Sequence, residues 1–113
     1  MCSDSLDTLG QKFIDAGENI ELLNDSNYLA SMLADIDDFE LNCTNFYDEN
    51  APAEFTEINN INNEVDVNYI QAVIHMRSGV TTMDADKLNM ALNYLNAGTE
   101  NINEATELAE NMF

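Results

Sequence analysis

Apolar residues along this chain recur at alternating intervals of three and four, the spacing that keeps side chains on one face of an α-helix. The first run takes in Leu6, Leu9, Phe13, Ala16, Ile20 and Leu23, with Asp7, Asp15, Glu18 and Glu21 off the stripe. It predicts a helix over residues 4–23, with Ser3 or Ser5 as N-cap for an otherwise orphaned N–H. Gly10 and Gly17 fall inside this run, and each costs about 1 kcal/mol relative to Ala in a helix unless it admits a neighbouring helix more closely. Asn24-Asp25-Ser26 reads as a tight turn and a new cap. A second helix starts near Asn27, carries Leu29, Met32, Leu33, Ile36, Phe39 and Cys43, and reaches Cys43 or Phe46. Pro52, the only proline, makes residues 47–55 a connection, because proline removes a helix hydrogen bond and clashes with the preceding turn.

Beyond it, Ile58, Ile61, Val65, Tyr69, Ala72 and Met76 keep the helical spacing. The Asn-rich start of this run is poor helix-forming material, so a helix is expected over residues 64–78, with an earlier start left open. Gly79 suits the left-handed residue that would end it. Thr81 and Thr82 are the expected caps of the last helix, with Asp84 and Asp86 toward the positive end of its dipole. Leu88, Ala91, Leu95, Gly98, Ile102, Ala105, Ala109 and Met112 continue one stripe for about 30 residues, or about 45 Å, with Gly98 as the expected bend. The fold class is all-α, one domain spanning residues 1–113, most simply a small four-helix up-down bundle with a strongly acidic surface. A three-helix variant with an irregular middle is the alternative.

Charge changes the picture. The chain has 22 acidic and 3 basic residues, for a net charge of −19, with an ordinary hydrophobic content of 45%. That content argues against plain disorder. Two carboxylates 7 Å apart repel by about 0.6 kcal/mol in bulk water and by more near low-dielectric protein, so the imbalance opposes compaction. Residues 13–76 contain no Lys or Arg. Within them, Asp35, Asp37, Asp38, Glu40, Asp48, Glu49, Glu54 and Glu57 are interleaved with Phe39, Phe46, Tyr47 and Phe55. Direct binding to nucleic acid or an anionic membrane is disfavoured, since counterion release requires Lys and Arg on the protein.

The chain has no run of about 18 apolar residues to span a membrane. Its first residues lack the basic and apolar regions of a secretory signal. Cys2 and Cys43 are expected as reduced thiols in a cytoplasm, Cys2 exposed and Cys43 filling the core.

The sequence contains none of the nucleotide-binding or hydrolase motifs. No carboxylate is set apart from its neighbours in the way acid–base catalysis requires. His75 is the only histidine, has no partner for a ligand set, and reads as an ordinary helix residue at the core edge or in solvent. Calcium-loop spacing fails from Asp35, whose fifth and twelfth positions are Phe39 and Phe46, and from Asp48, whose fifth is Pro52. No enzyme activity, metal or cofactor is expected.

What remains is a binding protein. Carboxylates on consecutive helix turns, such as Glu100, Glu104 and Glu107, recur every 5–6 Å or so along the axis, on the order of phosphate spacing in a DNA strand. In small size, extreme negative charge, helical scaffold and lack of catalytic motifs, the chain resembles phage-encoded DNA-mimic inhibitors that block restriction enzymes or CRISPR effectors. The resemblance implies a positively charged nucleic-acid-binding protein as partner, engaged through Asp35, Asp37, Asp38, Glu40, Asp48, Glu49, Glu54, Glu57, Glu100, Glu104 and Glu107. Tyr47 and Phe55, flanking the proline connection, are the aromatic anchors. A homodimer is compatible with this reading and would lengthen the acidic surface. The alternative is a helical adaptor or secretion-chaperone-like subunit binding through apolar helix faces, for which Met32, Met76, Met83, Met90 and Met112 suit an adaptable groove.

Overall fold

The stripes fold into four α-helices, α1 Cys2–Glu18, α2 Ser26–Cys43, α3 Thr56–Thr82 and α4 Ala85–Met112. The computed structural model describes residues 2–112, the side chain of Ser3 excepted. Two short 3-10 turns, Ile20–Asn24 and Ala53–Phe55, sit in the connections. Each helix packs on the next and α1 closes against α4, which makes an up-down four-helix bundle measuring 49 × 20 × 19 Å.

The first two helices have 17 and 18 residues and the last two 27 and 28. At 1.5 Å per residue the second pair is longer by about 15 Å. Asp66 of α3 lies level with Phe46, just beyond the end of α2. The first turns of α3 and the last turns of α4 therefore reach past α2.

The core is the sum of the predicted stripes. Leu9, Phe13, Met32, Ile36, Phe39, Tyr69, Met76 and Leu88 have no exposed surface. Tyr69 is the largest of them. Phe39 meets it edge-on with ring centroids 5.1 Å apart, and Phe46 does so at 6.5 Å. Its hydroxyl lies 2.9 Å from Thr99 Oγ1, which satisfies the one polar atom of a buried ring. Burial pushes the Tyr69 phenol above its ordinary pKa, while the Thr99 hydrogen bond pulls it back. Gly98 lets α4 lie against this ring, since a Cβ there would stand 2.3 Å from Tyr69 Cε1. Gly79 meets Leu88 in the same way, at 2.8 Å.

Several expectations are corrected. The first helix ends at Glu18, and Ile20–Asn24 forms a separate 3-10 turn. Ser5 lies inside α1, so it caps nothing, and the Ser3 side chain lies outside the described residues. Gly10 and Gly17 admit no close neighbour. Helix α3 starts eight residues before Glu64, because packing against α4 outweighs the modest propensity of its Asn residues. It also runs through Gly79. Met83 takes the left-handed conformation instead (φ 52°, ψ 44°), and its N–H bonds the Gly79 carbonyl.

Thr81 and Thr82 belong to α3 and turn their hydroxyls back to the carbonyls of Arg77 and Ser78. Asp84 caps α4, its Oδ1 accepting from the N–H groups of Asp86 and Lys87. The Asp25 cap is as expected, with its carboxylate receiving Asn27 and Tyr28 N–H. Helix α4 passes through Gly98 without interruption.

The cysteines are also corrected. Cys2 and Cys43 form a disulfide that ties the start of α1 to the end of α2. They lie 41 residues apart in sequence, and closing a loop of that size stabilises the fold by about 4 kcal/mol in the chain-entropy account. Antiparallel packing of two helices of nearly equal length brings those ends together. Cys43 is fully buried, as expected, and Cys2 is half-buried against the core.

Two glycine substitutions separate close packing from helix propensity. Gly98→Ala is expected to lower stability by about 1–3 kcal/mol, through overpacking against the Tyr69 ring. Gly10→Ala, which has open space, should raise it by up to about 1 kcal/mol. Urea unfolding of the two variants measures both, and equal shifts would contradict this packing.

Candidate binding surface

The three cations decide which carboxylates remain available. Lys12 of α1 pairs with Asp35 of α2. Arg77 of α3 takes Glu40 in a two-pronged grip, NH1 to Oε2 at 3.1 Å and NH2 to Oε1 at 3.0 Å, and also reaches Asp37 at 2.6 Å. Its hydrogen bonds to Glu40 first and Asp37 second raise the guanidinium pKa above its already high ordinary value. Lys87 reaches Ser78 Oγ across the seam between α3 and α4, at 2.9 Å. Asp35, Asp37 and Glu40, which the sequence places in the partner-binding set, thus serve inside the molecule as links from α1 to α2 and from α2 to α3. The sequence shows no cation within residues 13–76, but the two residues bounding that segment fold back onto it. Asp38 is exposed and lines a small cleft of about 160 Å³ with Asp4, Ser5, Thr8 and Asp35.

The other predicted carboxylates come together at the overhanging end. Helices α3 and α4 run antiparallel, with Asn68 Nδ2 donating to Asn101 Oδ1 at 2.7 Å and Asn101 Nδ2 to Glu64 at 3.3 Å. This register sets the last turns of α4 beside the first turns of α3. Glu100, Glu104 and Glu107 therefore share one end of the bundle with Asp48, Glu49, Glu54 and Glu57. Glu64 and Glu110 join them. All nine are exposed, and residues 44–66 and 97–112 contain no Lys or Arg. None of the nine has an ion pair among the described residues. On α4, Glu100 to Glu110 span about 15 Å of helix axis.

The connection between α2 and α3 is held in place at this end by two α3 side chains. Asp66, buried, accepts Phe46 N–H on Oδ1 and Tyr47 N–H on Oδ2, both at 2.9 Å. Those two bonds offset the cost of a buried carboxylate that has no ion pair among the described residues. Two turns earlier, the Asn59 side chain accepts Asp48 N–H at 2.9 Å and donates to Asp48 O at 2.8 Å. Sequence reasoning missed both residues. The available signal was a polar residue in a helical row, Asn59, Asn62, Asp66, Tyr69 and Val73, whose later members are core.

Of the predicted aromatic anchors, Tyr47 is 45% exposed, whereas Phe55 is half-buried. Phe55 lines a notch of about 250 Å³ with Phe46, Asp48, Ala51, Pro52, Ile58, Asn59 and Asn62. His75 is half-buried on the α3–α4 seam, its ring edge-on to Tyr94 at 5.2 Å. No group of His, Cys, Asp or Glu among the described residues is arranged to hold a metal ion. No helix among them is long and apolar enough to cross a membrane. Comparison with protein families, characterised proteins and solved structures finds no significant match for this chain.

Asp66→Asn tests the anchoring of the connection, because it replaces one acceptor with a donor facing an N–H. Stability is expected to fall by about 2 kcal/mol, with faster amide exchange at Phe46 and Tyr47 by NMR. Unchanged exchange at those two amides would contradict the anchoring role.

Proposed function

We propose that this chain is a non-enzymatic acidic binding protein that occupies the basic nucleic-acid-binding groove of a target protein. In this reading it acts as a DNA or RNA mimic of the phage anti-defence type, such as an anti-CRISPR or anti-restriction inhibitor. The observation that carries the reading is the end of the bundle formed by residues 44–66 and 97–112, where nine exposed carboxylates have no ion pair among the described residues. A solvated acidic surface of no special purpose would not require the scarce cations to sit on the opposite half. Rigid helices hold Glu57, Glu64, Glu100, Glu104, Glu107 and Glu110 at fixed spacing, so a groove that binds a phosphate backbone meets a preformed array. Such electrostatic complementarity accelerates encounter and weakens with salt. The same charge opposes direct contact with nucleic acid or an anionic membrane. Targets of this kind work in a cytoplasm, that of the host cell if the protein is phage-encoded.

One observation favours the adaptor reading. Val67, Ile70 and Ile74 stand on the outer side of α3 at 52%, 42% and 51% exposure, spaced as a helix-docking row. This row lies within residues 67–83, which contain no acidic residue. A partner held there would bind through apolar burial.

Affinity capture at 50 and 500 mM salt distinguishes the two. The mimic reading predicts a partner captured at low salt, released at high salt and displaced by duplex DNA or guide RNA. Capture that survives high salt and is lost in Ile70→Glu would overturn it in favour of the adaptor.

A further inference from the structure

We infer that the outward face of α3 is where two copies of this chain pair, antiparallel and about a two-fold axis. The inference goes beyond the mimic reading and does not depend on it. Along α3, Asn60, Asn63, Val67, Ile70, Ile74 and Thr81 are all exposed. With Arg77 they fall at intervals of three and four residues. This is a seven-residue repeat kept for about three heptads, the spacing at which two helices stay in contact along their length. The bundle already has its own row on α3, with Val65, Tyr69, Ala72, Val73, Met76 and Val80 all buried. The helix therefore carries a second row that the bundle does not use. Leu41, 72% exposed and one turn along α2 from the Asp37 that holds Arg77, widens it on the α2 side.

Charge names the occupant. Residues 67–83, which hold the apolar part of the row, are the longest run in the chain without Asp or Glu. Two copies, each of net charge −19, repel unless they meet where carboxylates are few. Beside this row the nearest ones, Asp37 and Glu40, are held by Arg77. A second copy offers the same uncharged row, so the surface is complementary to itself in the way a two-fold interface requires. Charge also sets the direction. Glu57 and Glu64 stand toward the start of α3 and Arg77 toward its end. Parallel pairing would lay the two acidic ends side by side. Antiparallel pairing about a point between Ile70 and Gln71 sets Val67 level with Ile74 of the second copy, and Glu64 level with its Arg77. The two acidic ends then lie at opposite ends of the dimer. One helix face per copy is at the low end of stable interface sizes, so the dimer is expected in the micromolar range. It tightens as salt screens the repulsion between copies, opposite to the response expected of a basic target.

Sedimentation equilibrium of the purified chain at 50 and 500 mM salt, up to about 1 mM protein, tests the pairing with no other partner present. The expected result is a monomer–dimer equilibrium that shifts toward dimer at 500 mM salt. Ile70→Glu and Ile74→Glu should each weaken it about tenfold or more. Ile14→Glu adds the same charge at an exposed apolar position of α1 and should leave it unchanged. Nitroxide pairs on Asn63→Cys should stand about 20 Å or more apart in the dimer, whereas a separation of about 10 Å would mean parallel pairing and overturn the geometry. A chain that is monomeric at every concentration and salt overturns the interface. So does a dimer that dissociates at 500 mM salt, or one that Ile14→Glu weakens as much as the α3 substitutions do. Each of these results leaves the mimic reading standing, since its test is capture of a different protein. The salt response and the monomeric result are read on the unsubstituted chain, so a folding defect in a variant cannot decide the outcome.

Discussion

Electrostatic self-repulsion is the constraint on which the rest of this structure depends. With 22 carboxylates and only three Lys and Arg side chains, compaction requires either neutralisation or distance. Both are visible. Lys12 and Arg77 are set between α1, α2 and α3, where three helices would otherwise bring acidic faces together. Elsewhere, apart from the buried Asp66 and the half-buried Asp84, the carboxylates are exposed. The partial exposure of these ion pairs limits each to around 1 kcal/mol or less. Their effect lies in placement, and apolar burial around Phe13, Phe39 and Tyr69 supplies the cohesion.

That arrangement produces a molecule built of two unequal hairpins. The α1–α2 hairpin is short, supplies the carboxylates of every ion pair among the described residues and is cross-linked at its end by Cys2–Cys43. The α3–α4 hairpin is long, its helices drawn together where Gly98 admits Tyr69 and Gly79 admits Leu88. The stagger between the hairpins leaves an end supported by only two helices and a docked connection. Asp66 and Asn59 give that connection a defined shape, so acidic and aromatic groups are displayed on a fixed frame. The acidic end follows from the difference in helix length as much as from charge.

The fold was legible in the sequence because its helices are amphipathic and their stripes are long. Phe13, Phe39, Tyr69 and Leu88 could each be assigned to the core from spacing alone. Helix boundaries were less legible where local chemistry offered a decoy. Gly79 has the residue type of a helix end but is needed as a small residue beneath Leu88, and Met83 takes the left-handed turn. Thr81 and Thr82 look like caps, yet Asp84 has the geometry. The acidic surface was legible as composition and not as a location. Its partition depends on ion pairs between residues 23, 37 and 40 positions apart, which no local pattern encodes. The cysteine pairing was hidden for the same reason.

The most direct test of the central claim is the urea midpoint, at low salt, of a variant with Glu57, Glu64, Glu100, Glu104 and Glu107 all changed to Gln. If these carboxylates are unneutralised charge that folding does not use, removing them relieves repulsion and the midpoint rises above that of the unsubstituted protein, with the gain shrinking as salt is added. A midpoint that falls, or stays fixed at every salt concentration, would mean that they contribute to holding the bundle together or do not repel. Either result would contradict the account of this end as a surface kept for a partner.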